Sequence, residues 1–145
     1  MIRDVHHGLL SLGDAVSARD LKRIYDGGFA AVVDLAVNEP PAVLGRELIY
    51  CRFPLSDDGA NDEAVLAAAI LCVESLLARD VRTLVACSAG MSRSPVLAAA
   101  AVALRTGEPL AECLTRIAAR APVDVSPAFY ASAERALAGL AESRR

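Results

Sequence analysis

The sequence predicts an α/β fold: a central, mostly parallel or mixed β-sheet flanked by α-helices in a three-layer arrangement. Three observations carry this. Short apolar, β-branched runs of strand length alternate with longer runs of helical period through the first part of the chain. The remainder is helical in pattern, broken only at Gly107 and around Pro122. Between the two, the run Thr83–Ala86 leads through small residues into a long apolar helix, which places that strand at the centre of the sheet. A chain of 145 residues, of which 54% are hydrophobic, fits one domain with a proper core, spanning residues 1–145.

Each element has its own signal. Residues 9–12 form an apolar run ended by Gly13 and Asp14, and read as the first strand. Residues 15–25 read as a helix, with Asp14 or Ser17 as N-cap and Gly27-Gly28 beyond its end. Residues 29–36 are apolar throughout except for Asp34, the pattern of a buried strand. Glu39, Pro40 and Pro41 then break the chain. Residues 48–55 alternate loosely and include Tyr50 and Phe53, so they read as a strand. Residues 56–62 are polar and turn-rich. A helix is predicted over residues 62–78, with apolar residues recurring at Val65, Ala68, Ala69, Leu71, Cys72 and Leu76. Further helices are predicted over residues 93–105, 110–120 and 127–142, with Pro122 at the joint between the last two.

Composition excludes several functions. The net charge is −3, whereas nucleic-acid binders are usually basic, so any anion site must be local. The N-terminal residues have an early Asp4 and no apolar stretch of signal-peptide length. The longest apolar run, residues 95–104, is too short to span a bilayer. A soluble, cytoplasmic protein without a membrane partner is expected. No two of Cys51, Cys72, Cys87 and Cys113 are spaced as C-x-x-C, so no zinc site is expected, and no disulfide is needed. Cys51, Cys72 and Cys113 read as small buried hydrophobes.

Cys87 differs from the other three in its sequence context. A thiol stands at the end of a buried strand, and Arg93 stands at the start of a helix. Between them Ser88, Ala89, Gly90, Met91 and Ser92 are small or flexible enough to let the backbone curl. Successive N–H groups of such a loop turn inward and make an anion-binding nest. The helix N-terminus adds partial positive charge. Arg93 adds a planar fork that grips two phosphate oxygens. Thiols in such surroundings ionise more readily than free cysteine, and a thiolate at the floor of this cup is placed to attack phosphorus. The cup's donors would then stabilise the equatorial oxygens. Ser94 comes directly after Arg93, and its hydroxyl can hydrogen-bond the sulfur and help it leave. The leaving group needs a proton, and the Asp57-Asp58 pair supplies the candidate. Asp57 is the first choice, with Asp58 and Asp62 behind it. Thiolate and arginine together replace a metal or organic cofactor, so none is expected.

On these residues the chain resembles the small, atypical dual-specificity protein phosphatases. Cys87, Gly90, Ser92, Arg93 and Ser94 match the family's phosphate loop, usually H-C-x-x-G-x-S-R-S. Asp57, in Pro54-Leu55-Ser56-Asp57, occupies the place of the family's general acid. The opening Leu9 to Asp20 and the stretch Arg120-Ala121-Pro122-Val123 with Pro127 and Phe129 are similar to the family's first and closing segments. The resemblance implies a protein phosphatase acting on phosphotyrosine, and on phosphoserine or phosphothreonine, in a phosphorylated protein or peptide. A catalytically weak phosphoresidue-binding module and a phosphatase for a small metabolite are the alternatives. One departure is Ala86, where the family carries a histidine that helps order the loop; it implies a slow enzyme.

Overall fold

The computed structural model describes the whole chain, Met1–Arg145. Its strands are β1 (Arg3–His6), β2 (Leu10–Gly13), β3 (Ala31–Ala36), β4 (Ile49–Leu55) and β5 (Thr83–Ala86), joined in one sheet in the order β1-β2-β5-β3-β4. β1 runs antiparallel to β2, and the other pairings are parallel. β5 is therefore central, as its context predicts. β1 has no counterpart in the sequence reading, because only Val5 of its four residues is buried and an exposed edge strand carries no clear alternation.

The helices are α1 (Leu21–Asp26), α2 (Glu63–Ala78), α3 (Arg93–Thr106), α4 (Leu110–Ala118) and α5 (Pro127–Ser143). Residues 15–25 do not form the continuous helix expected. Ser17–Arg19 make a short 3-10 helix, Asp20 is extended, and α1 starts after it. Two aspartates cut the period: Asp14 Oδ1 accepts from Ser17 N–H at 2.7 Å, and Asp20 Oδ1 accepts from Arg23 N–H at 3.2 Å. Each offers the backbone a cap in place of a continued helix.

The layers are unequal. Val33, Leu35 and Val85 face α2 to α5 and build the main core. Val32, Leu84 and Ala86 face the other way, onto Ala18, Ile24 and Phe29. Strand alternation alone sorts these residues between the two faces. α3 is buried from Arg93 to Leu104, and α2, α4 and α5 all pack on it. A helix apolar all round belongs in an interior, and its alanines let three neighbours come close. It stops at Gly107, which takes φ 79°, with its N–H donating to the Ala103 carbonyl at 2.8 Å. This packing fixes the N-terminus of α3 at the end of β5.

Candidate active site

Cys87 follows β5 without a gap and is 2% exposed. Its Sγ lies 3.3 Å from Ser94 Oγ, the partner expected from sequence. Residues 88–92 bend round to α3, and Ser88, Ala89, Met91 and Ser92 line a cavity of about 200 Å³ together with Asp57, Cys87, Arg93 and Asp124. The backbone N–H groups of Ser88, Ala89, Gly90, Met91 and Ser92 donate to no acceptor within the protein. A run of free amides leading into the first turn of a helix suits an anion. The bend depends on Gly90. It takes φ 76°, and a Cβ there would stand 2.8 Å from the Gly13 carbonyl oxygen.

Arg93 is the first residue of α3, and only 7% of it is exposed. Nη1 donates to the Leu55 carbonyl at 2.7 Å and to Asn38 Oδ1 at 3.3 Å, and Nη2 donates to Ser88 Oγ at 3.0 Å. That leaves Nε–H and one Nη2–H, the adjacent pair that fits two oxygens of one phosphate. Asn38 was not foreseen in the sequence. Its Oδ1 also accepts from Ser88 Oγ–H at 2.8 Å, so one amide oxygen orients both loop and arginine. It lies in the irregular segment after β3, where nothing in the sequence singles it out.

The three candidate carboxylates separate cleanly. Asp57 lines the cavity, and its Oδ1 accepts from Ser92 Oγ–H at 2.6 Å. Ser92 Oγ in turn accepts from Ser126 N–H at 2.9 Å. This serine therefore joins the loop that carries Asp57, the loop of residues 88–92 and the entry to α5. Asp58 turns back on its own loop, where its Oδ1 accepts from Ala60 N–H and Ser56 Oγ–H, both at 2.9 Å. The Ala60 amide and then the Ser56 hydroxyl hold its carboxyl below the usual range. Asp62 caps α2 by accepting from Ala64 N–H at 2.8 Å. Of the three, only Asp57 lines the cavity.

The other cysteines sit apart. Cys113 is buried in the main core, and burial pushes its thiol up. Burial, then the neighbouring Cys51, pushes Cys72 up to about 12. Neither is poised as a nucleophile. A larger cavity of about 710 Å³, lined by Met1, Asp4, Arg23, Asp26, Phe29 and Arg82 among others, holds none of the candidate residues.

The chain has the fold of the small dual-specificity phosphatases. Among solved structures it is similar to DUSP15, with 22% identity, TM-score 0.80, and 98% of this chain and 93% of that one covered. Human DUSP28 matches at 23% identity and TM-score 0.79, over 96% of this chain and 94% of that one. PTPMT1 in complex with PI(5)P matches at 15% identity and TM-score 0.77, over 99% of both chains. No protein-family model matches the sequence, and no curated protein is similar to it in sequence.

Proposed function

We propose that this chain is a cysteine-dependent phosphomonoesterase whose main substrate is phosphotyrosine in proteins, with phosphoserine and phosphothreonine as further substrates. The observation that carries this is Cys87 Sγ, paired with Ser94, in a cavity whose other walls are Arg93, free amides and Asp57. The Cys87 thiolate attacks phosphorus in line, and the bond to the leaving oxygen breaks. Asp57, as the acid, gives that oxygen its proton. Arg93 and the loop amides hold the equatorial oxygens. Water then attacks the phosphocysteine, and Asp57 takes its proton. The S–P bond breaks as Ser94 Oγ–H donates to the departing sulfur, and phosphate leaves.

Ala86 supports a second reading, a module that holds phosphorylated residues without turning them over. Its side chain is fully buried against Ala18, Ile24 and Leu84 on the face of the sheet away from Cys87. Nothing polar at this position orders the loop. The test is phosphate release from an aryl phosphate, with reductant and without metal, by wild type and Cys87→Ser. Turnover by wild type alone is expected. Equal turnover by both proteins overturns the mechanism. No turnover by either, with vanadate still bound, leaves the binding module.

A further inference from the structure

Asp124 has no role in this chemistry, yet it lines the same cavity as Cys87 and Arg93. Its backbone is fixed to the phosphate loop, with its N–H donating to the Met91 carbonyl at 2.8 Å. Its carboxylate makes no ion pair, whereas Asp4, Asp14, Asp20, Asp26 and Asp34 each hold a cation. The charged residues lining the cavity are thus Asp57, Asp124 and Arg93. Arg93 is reserved for the phosphate itself. The basic side chains Arg19 and Arg52 are both spent on Asp34, and the single lysine, Lys22, is paired with Asp26 at 2.6 Å.

A phosphate bound here therefore has a cation beneath it and an unpaired carboxylate at its side. Within the cavity, a second phosphate on the substrate would face that carboxylate and no cation besides Arg93; Arg3 lines the adjoining cavity beyond Ala89 and Met91. Ala89 and Met91 are exposed along the same wall and offer apolar contact to a ring. We infer that Asp124 is a specificity residue, which selects phosphotyrosine peptides carrying arginine or lysine beside the phosphorylated residue and disfavours acidic neighbours and polyphosphorylated headgroups. This rests on the phosphatase reading only for where the phosphate sits.

The test compares two phosphotyrosine peptides that differ only in arginine or glutamate on either side of the tyrosine. kcat/KM is measured with the full-length protein, and Kd with Cys87→Ser, each for wild-type Asp124, Asp124→Asn and Asp124→Lys. The readout is the ratio between the peptides within each protein, which divides out any change common to both. Wild type should favour the basic peptide by about three- to fivefold, the range that an exposed ion pair supports. Asp124→Asn should bring the ratio near one, and Asp124→Lys should invert it. The preference should shrink as salt rises. Equal use of the two peptides by a protein that hydrolyses aryl phosphate overturns the assignment and spares the phosphatase reading. A basic preference in Kd without turnover keeps the assignment and removes the enzyme. Binding of neither peptide, or tighter binding of a soluble bisphosphorylated inositol headgroup, also overturns it.

Discussion

Two clusters of hydrogen-bond donors stand back to back at the same end of the sheet, and only one of them is closed by a carboxylate of its own. Asp34 pairs in register with Ala86, the residue before Cys87. On the smaller-core face, Asp34 is wholly buried and accepts from Arg19 at 3.0 Å, Arg52 at 2.9 Å, Tyr50 at 2.6 Å and the Ala36 amide at 3.1 Å. Burial and then the Asp34 hydrogen bond push Tyr50 above the usual phenol range, so its hydroxyl remains a donor. On the other face, Arg93 and the free amides of residues 88–92 make no ion pair or hydrogen bond with a carboxylate of this chain, although Asp57 and Asp124 line the same cavity. A cluster of donors closed by an internal carboxylate is structural. The same cluster left open at a thiol suits a ligand.

The difference also shows how the two sites depend on each other. Arg52 donates onward to the Ala36 and Glu39 carbonyls at 3.0 and 2.6 Å, and Arg19 donates to the Pro40 carbonyl at 2.6 Å. Those bonds hold the segment that carries Asn38, which in turn orients Arg93. The closed site thus shapes the open one through a single amide.

The sharpest way to break this comparison is to exchange the expected losses. Asp34→Ala leaves two partly buried arginines without their carboxylate, which should cost about 3 kcal/mol of stability, the low end for breaking a buried pair. For a domain of this size that is a fall in melting temperature on the order of 10 °C. Turnover per folded molecule should fall much less, through Asn38 alone. Arg93→Ala should do the reverse, lowering kcat/KM for an aryl phosphate by about 10²–10³ with a smaller thermal shift. Calorimetry and initial rates on both variants decide it. If Asp34→Ala abolishes turnover at a temperature where it is folded, the buried carboxylate belongs to the active machinery.

Most of this was legible because it is local. The strand β5, the small loop and α3 are consecutive in sequence, so Cys87, Arg93 and Ser94 could be placed before any fold was known. Their 3.3 Å sulfur–hydroxyl contact arises from that succession. Asp57 was legible as a type of residue in a type of loop, while its separation from Asp58 needed the contact with Ser92 across 35 positions. Asn38 and Asp124 were not legible. Each reaches the site from an irregular segment whose course is set by distant partners: the Asp34 cluster for one, and Met91 for the other. Asp34 itself was visible only as the one interruption of an apolar run, and its arginines lie at 15 and 18 positions' distance.

The contrast between the neighbouring aspartates sharpens the division between open and closed sites, and the smallest effect of all belongs to Asp58. Asp57→Asn should slow alkyl phosphates and other poor leaving groups by about 10²–10⁴, and activated aryl phosphates far less, because only the former need the proton. Asp58→Asn should show no such dependence on the leaving group. Its effect should appear in stability instead. The Asp58 carboxyl is held below its ordinary value of 3.8, so the ionised form supports the loop above that pH, and the support is lost as pH falls through the lower folded value. The melting temperatures of wild type and Asp58→Asn should therefore differ slightly at pH 7 and converge well below pH 3.8. A leaving-group dependence that tracks Asp58 rather than Asp57 would move the proton donor to the carboxylate whose hydrogen bonds are already spent within its own loop, and would mean that this loop rearranges when substrate binds.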